Sequence, residues 1–583
     1  MMANKVLVGL GLAVAVLQPV WADFPNGISS GDTTQTSTVL WARSSETGSV
    51  RFQVKDAGAI INDQLVTVAD PLVPAKLRVN NLSAGKAYTY SVTSPTGLLA
   101  TGSFKTAAAT GANTALSFGV TGDWRGELAP YPAIKNVPAH SLNFFVKLGD
   151  TIYADHASPA VPNGPAQTLA EFRAKHSEVY SRHNRTNSFA GLQRNVSIFS
   201  MIDDHEVSND FAGGALASAF SYLTEKTGLV NQSSLYNNGL QAFIEANAIE
   251  DRRYPAVGDS LTDGRPDLYR TQRYGSTAGI FILDARSFRA QELAGVTDVT
   301  SAAQIGGFIA KSFDAFTPAT TRSMLGVKQL AKLKADLLAA QTDNVIWKFV
   351  AVPEPIQNMG VLAASDRFEG YASERSELLR FIDENGIKNV VFISADIHGT
   401  LINDLTYQRR EEVLNALATV GNPLAAPQYK TSAFEITTGS VAYEPAFGDA
   451  VIGLLAGVPN GNLLLAQLFA GVGVSDLQGF NNLPMAVKSA AMQALLDSQL
   501  NALGYTPVGL QDNNLINAKL LQGTNSALFS FGWTRFDIHP KSHALRITTY
   551  GIEPYTAQNL ADNAAAVISR QPQVVSQLLV QPK

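Results

Sequence analysis

The 583-residue chain contains no cysteine. That excludes a disulfide framework and any thiolate metal ligand, and a protein of this length has core enough to hold without cross-links. Charge is sparse as well: 44 Lys and Arg stand against 49 Asp and Glu, for a net charge of −5. No polybasic tract is present, so electrostatic capture of long nucleic acid or of an anionic membrane is not expected. Long apolar runs are also missing. Val6 to Leu17, Val451 to Val458 and Leu463 to Val472 all fall short of the roughly 20 residues that a spanning helix requires, so no stable membrane span is expected.

What is present begins with a positive residue, Lys5, the short apolar run, and Val20-Trp21-Ala22 with its small last residue. This pattern reads as a signal peptide over residues 1–22, cleaved before Asp23, and implies a periplasmic or secreted protein. Export suits a chain without thiols.

From Asp23 to about residue 110, short strands alternate with turn residues at Ser37 to Ala42, Val50 to Val54, Gln64 to Val68, Lys86 to Thr93 and Leu99 to Lys105. That spacing predicts a small β-sandwich of immunoglobulin or fibronectin type III character over 23–110. Ala107 to Asn113 has no periodicity and reads as a linker. Residues 111–583 alternate strands with helical stretches, which predicts a layered α/β domain. Leu330, Leu333, Leu337 and Leu338 place a helix at 327–341, followed by a strand at 346–352. A second helix around Leu378 to Ile382 is stopped by Asn385-Gly386, and a strand follows at 390–393. Residues 211–250 read as helical, broken at Asn237-Asn238-Gly239, and suggest a lid. Residues 446–529 read as a mainly helical insertion.

The chemistry sits in four short acidic runs: Gly122-Asp123-Trp124, Gly149-Asp150-Thr151-Ile152-Tyr153, Asp203-Asp204-His205-Glu206 and Asp396-Ile397-His398. Each follows an apolar stretch, and the C-terminal ends of buried strands are where an open α/β sheet places its ligands. A single Gly-Asp after a strand is usually a turn or helix cap. Four in one chain, two of them with a His within two residues of a carboxylate, read as a site for two hard cations.

In order and spacing these runs resemble the blocks of the calcineurin-like metallophosphoesterases, and within them the PhoD-like alkaline phosphatase D branch. The branch is suggested by Asp203 to Val207, Leu283-Asp284-x-Arg286, Trp347-Lys348, Gly370-Tyr371-x-x-Glu374-Arg375, and the amino-terminal Gly27 to Asp32 followed by Val39 to Arg43. The resemblance implies a two-sheet sandwich flanked by helices, with Asp150 as a bridging carboxylate. It further implies Asp123, Tyr153 and His398 on one metal, and Asp204 with Asp396 on the other. His205 is then the proton donor to the leaving group, with a metal-activated hydroxide as nucleophile. Asn209 and Arg125 are candidates to touch phosphate, against a helix-capping role for Asn209 and an ordinary surface role for Arg125. Asp284 and Arg286 are read as a structural ion pair.

Departures from the family matter too. A Cys commonly binds iron after the first catalytic strand, and Asp123 stands there instead. The Gly-Asp-Trp and Gly-Asp-x-x-Tyr blocks also look like those of purple acid phosphatases, where a tyrosinate binds ferric iron. Tyr153 therefore favours Fe³⁺ in the first position, and the all-carboxylate second position favours Ca²⁺, Mg²⁺ or Mn²⁺ over zinc. The expected activity is hydrolysis of small phosphomonoesters or phosphodiesters. Alternatives are a phospholipase or narrower phosphodiesterase using the apolar 446–529 segment, and a secreted binding protein without activity.

Overall fold

The computed structural model describes residues 23–313 and 322–583. The expected signal peptide, 1–22, lies outside the described residues. Three sheets carry the chain. The first has ten strands in the spatial order Asn517–Gly523, Gln573–Gln581, Leu545–Ile552, Phe531–Ile538, Leu116–Thr121, Phe144–Lys147, Ser197–Ser200, Ile28–Gly31, Thr38–Ala42 and Ala75–Val79. The second has seven: Arg270–Tyr274, Ala278–Ile282, Trp347–Ala351, Val390–Ser394, Tyr429–Thr437, Thr400–Tyr407 and Ser526–Ala527. The third contains Ala59–Val68, Gly48–Asp56, Ala87–Thr93 and Leu99–Lys105.

The first two sheets pack face to face. Phe118, Phe144, Val146 and Phe199 of the first share one apolar core with Ile280, Phe349, Val391 and Ile436 of the second. Successive strand residues point to opposite faces. Phe145 and Ile198 accordingly turn outward into a separate core with Phe172 and Phe243, from the helices Leu169–Tyr180 and Ser234–Ala246. The outer face of the second sheet is covered the same way: Leu330, Leu333 and Leu337 of the helix Val327–Thr342 and Leu378 and Ile382 of Ala372–Glu384 pack on Phe281, Val350 and Phe392. Strands buried on both faces read as continuous apolar runs. This is why the strands at 346–352 and 390–393, the helix before the first and the helix between the two, fall close to where the sequence puts them.

The amino-terminal strands are expected as a unit of their own, and three of them join the ten-stranded sheet. Thr38–Ala42 is buried throughout. Leu40 and Ala42 face the third sheet across a shared core, while Val39 and Trp41 pack on Ala248 from the opposite side. Ile28–Gly31 pairs with Thr38–Ala42 and touches Ser197–Ser200 through Gly31 and Ile198, so one layer is continuous with the first sheet. Burying Trp41 fully stabilises this junction by roughly 1.5–3 kcal/mol, and its indole N–H donates to the Glu245 carbonyl at 2.8 Å. The expected linker is tied on both sides. The Ala107 amide donates to Thr34, and the carbonyls of Ala108 and Ala112 accept from Gly275 and Ser276.

One further expectation needs correction, and another is extended. No helix break occurs at Asn237-Asn238-Gly239, because the helix Ser234–Ala246 runs straight through them. A Cβ on Gly239 would stand 2.4 Å from the Glu206 carbonyl oxygen, so this glycine serves a close approach instead of a stop. The helix is a wall of the core and not a lid. The 446–529 segment is helical only to residue 502, in Phe447–Gly457, Gly461–Gly471, Leu477–Asn481 and Met485–Ala502. It then supplies the edge strand Asn517–Gly523 of the first sheet, pinned by antiparallel pairing with Gln573–Gln581. Among the described residues no helix is long and apolar enough to cross a membrane.

Candidate active site

Leu116–Thr121, Phe144–Lys147 and Ser197–Ser200 are adjacent and parallel, so their C-terminal ends lie side by side. Val390–Ser394 brings a fourth strand end from the facing sheet. Gly122 lets the two sheets meet there, since a Cβ on it would fall 2.6 Å from that of Ala395. Asp123, Asp150, Asp396 and His398 all hold left-handed backbone, with φ of 61°, 48°, 65° and 59°. Non-glycine residues enter that region at a cost, and such strain clusters at functional sites.

Four groups of possible ligand atoms occur among the described residues, each within 4.8 Å, and two of them are Asp123, Asp150 and His398, and Asp150, Asp204 and His205. Asp150 belongs to both. Both Asp123 carboxylate oxygens are buried without a hydrogen-bond partner among the described residues. Burial, and then the charge of Asp203, push this carboxyl well above the usual range. Burial and Asp204 do the same to Asp150. Such a crowd of desolvated carboxylates is what a bound cation relieves. Burial holds the His398 imidazole down to about 3, so it is neutral and available as a donor atom. The Tyr153 hydroxyl lies 3.2 Å from His398 Nε2.

His205 is differently placed. Its Nδ1 meets Asp155 at 2.7 Å, and its Nε2 lies 3.9 Å from Asp204. Burial alone would lower this imidazole, but Asp204 and Asp155 outweigh it and hold the group up at about 9. Glu206 braces the loops from within: its carboxylate accepts from the amides of Asp150 at 3.1 Å, Thr151 at 2.6 Å and Asp203 at 2.8 Å.

The carboxylate of Asp396 falls in another group, with Glu354 and Asp366. Arg286 stands beside them. It is fully buried and donates to Asp203 at 2.6 Å and to both oxygens of Asp366 at 2.9 and 2.8 Å, pairs with Glu354, and lies 3.7 Å from Asp204. An Asp284–Arg286 side-chain pair is therefore not formed. Asp284 instead accepts from the backbone amides of Arg286 and Ser287, capping the turn. Arg125 donates to Glu127 at 2.6 Å and sits over the Tyr443 ring at 5.6 Å, half-buried at the rim. Asn209 caps no helix. It is exposed, with its amide on Asp155 at 3.1 Å and its side chain on Asp210 at 2.6 Å.

Residues to which the sequence assigned no role are Asp155, Glu206, Glu354, Asp366 and Tyr443. Glu354 obeys the rule that found the others, since it follows the strand Trp347–Ala351, and Asp155 is two residues beyond Tyr153. Tyr443, stacked on His398 with ring centroids 3.6 Å apart, had no signal.

Carboxylates and imidazoles gathered at strand ends of a mixed α/β fold form a candidate hydrolase site whose residue types are those of metal ligands. The chain belongs to the PhoD-like phosphatase family and is a phosphoesterase. The family's sequence profile, PhoD-like phosphatase, matches residues 120–459, and that of its N-terminal domain matches residues 12–108. Alkaline phosphatase D of Bacillus subtilis (strain 168) is 25% identical over 451 residues, covering 68% of this chain and 70% of that one. A solved structure of PhoD superposes with a TM-score of 0.63 at 17% identity, over 96% of this chain and 90% of that one. A purple acid phosphatase from yellow lupin seeds gives a TM-score of 0.47 at 9% identity, covering 96% and 75%. Family membership retires the reading as an inactive binding protein.

Proposed function

We propose that this chain is an exported phosphomonoesterase or phosphodiesterase with a dinuclear metal site. The observation that carries the reading is the sharing of Asp150 between two groups, Asp123–Asp150–His398 and Asp150–Asp204–His205. Asp123, Asp150, His398 and Tyr153 are assigned to the first ion, and Asp204 with the shared Asp150 to the second. Asp396 is kept as a further ligand of the second ion, reached from its place beside Glu354 and Asp366. Ligand hardness favours Fe³⁺ at the first position and Ca²⁺, Mg²⁺ or Mn²⁺ at the second. When bound, the two cations neutralise phosphate oxygens and make a water acidic enough to serve as nucleophile.

The chain's own residues do the rest. His205, oriented through Nδ1 by Asp155 at 2.7 Å, presents Nε2 for proton donation to the departing alkoxide. Arg125 lies at the rim, where its charge favours an anionic ester, and Asn209 is assigned to the same entrance. Arg286 balances Asp203, Asp204 and Asp366, so that the carboxylates stay in place when the site is empty of substrate.

The amino-terminal layer, residues 23–110, is assigned to an immunoglobulin or fibronectin type III-like sandwich in which one sheet has merged with the catalytic part. Residues 111–583 form the catalytic unit, and residues 1–22 the export signal. The experiment is Asp150→Asn with metal analysis and assays on an aryl phosphomonoester and the matching diester. Loss of turnover together with loss of both metal equivalents is expected. Two retained equivalents with normal turnover would overturn the shared-ligand assignment.

A further inference from the structure

The helices after residue 446 enclose a cavity of about 500 Å³ together with the loop 359–362 and the helix Ala302–Ser312. Leu455, Leu464 and Leu496 line it from the inserted helices, Met359 and Leu362 from the loop, and Ile305 from the helix. Thr300, Asn422 and Gln499 are its only polar side chains among the described residues, and no charged one lines it. The size is that of a small-molecule pocket, and an apolar cavity of this kind offers water too few partners and accepts hydrocarbon instead.

The cavity and the site draw on neighbouring stretches of the chain. Glu354 and Asp366 stand with Asp396 at the acid group, and the segment between them forms the cavity wall at 359–362. Met359 packs in one apolar cluster with Ile397, which lies between Asp396 and His398. The amide of Phe447, the first residue of the inserted helices, donates to the His398 carbonyl at 3.1 Å. The family profile ends at residue 459, so Leu464, Leu496 and Gln499 lie beyond the matched region.

Resting on the phosphoesterase reading above, we propose that the cavity takes the single hydrocarbon chain of an amphiphilic phosphoester whose phosphate sits at the carboxylate–imidazole site. The absence of charge in the cavity fixes which end enters it, because a buried head group would be left without a partner. In the reaction the oxygen of water joins phosphorus, the ester P–O bond breaks, and the long-chain alcohol leaves carrying a proton. The chain is held in ground and transition states alike, so its length should act on KM far more than on kcat.

The test uses the metal-loaded full chain and the series ethyl, hexyl, octyl, decyl and dodecyl phosphate, each below its micelle concentration. We expect kcat/KM to rise roughly three- to fourfold per methylene until the cavity is full. Leu496→Trp and Leu464→Trp, both at half-buried positions, should flatten the series while leaving ethyl phosphate turnover and the melting temperature unchanged. A flat series with wild-type protein that turns over ethyl phosphate would overturn the pocket. Calorimetric binding of dodecylphosphonate separates the two readings. Chain-dependent, Leu496-sensitive binding without turnover of any ester would sink the hydrolase reading alone, and binding no tighter than that of ethylphosphonate would sink the pocket. Hydrolysis of diacyl phospholipid vesicles unaffected by either tryptophan would overturn the single-chain assignment.

Discussion

Tyr153 is the residue that separates an iron site from its alternatives. Its phenol is buried, and burial followed by the charges of Asp150 and Asp123 raises its ionisation well above the ordinary value near 10. Only a strong Lewis acid at the group formed with His398 makes the phenolate at working pH. Iron-replete protein is therefore expected to be coloured, and Tyr153→Phe to bleach it without lowering the melting temperature; colourless, fully active, iron-free protein would refute the iron assignment. Away from the site, Glu374 carries a separate prediction. It accepts from the amides of Met324 at 3.2 Å and Leu325 at 2.9 Å and from the Ser323 hydroxyl, yet burial outweighs these bonds and pushes its carboxyl up to about 7. The folded state thus binds a proton that the unfolded state releases near pH 4.5. The associated stability is full below pH 4.5 and is lost as pH rises through about 7. Measured between pH 4.5 and 7.5, Glu374→Gln should gain stability relative to the wild type as pH rises. A difference independent of pH would show that Glu374 is ionised in the fold. At this scale a carboxylate after an apolar run is a local pattern that sequence can show, and the structure brings Asp123, Asp150 and Asp204 into neighbouring groups. Arg286 was misassigned because its partners, Asp203, Glu354 and Asp366, are distant in the chain.

Elements were legible wherever one period dominated. The leucines of Val327–Thr342 recur on one face, and Val390–Ser394 is buried on both, so each was placed within a residue or two. Gly239 misled because a glycine required by packing looks, in sequence, like one required by a turn. The helix that holds it presses on the chain at Glu206, the residue whose carboxylate ties the Asp150 and Asp203 amides together. Adding one methyl there forces the helix outward and should cost about 1–3 kcal/mol. We expect Gly239→Ala to lower the melting temperature and to reduce metal retention during dialysis against chelator, whereas Gly258→Ala, at a position open to solvent, should leave metal retention unchanged. Equal retention in wild type and Gly239→Ala would mean that the Glu206 brace does not depend on this contact.

On the scale of the whole molecule, the alternation of strands and turns before residue 110 correctly suggested a β-rich segment, but strand pairing with a partner more than 150 residues away leaves no mark in a local pattern. Ile28–Gly31 and Thr38–Ala42 continue the sheet that carries Asp123, Asp150 and Asp204, and their Val39 and Trp41 pack on Ala248. Cutting the chain before residue 108 would leave Ser197–Ser200 as a raw edge beside an uncovered apolar surface. Exposed strand edges of that kind recruit other chains. The fragment 108–583 is therefore expected to express as aggregates, and coexpression with residues 23–107 to recover soluble, metal-binding protein in part. Independent domains would behave differently: the fragment would be monomeric by sedimentation, unfold cooperatively and retain phosphoesterase activity. That outcome would show that the shared sheet is a contact between two self-sufficient units, whereas aggregation rescued by the missing strands would make the amino-terminal layer a structural part of the catalytic core.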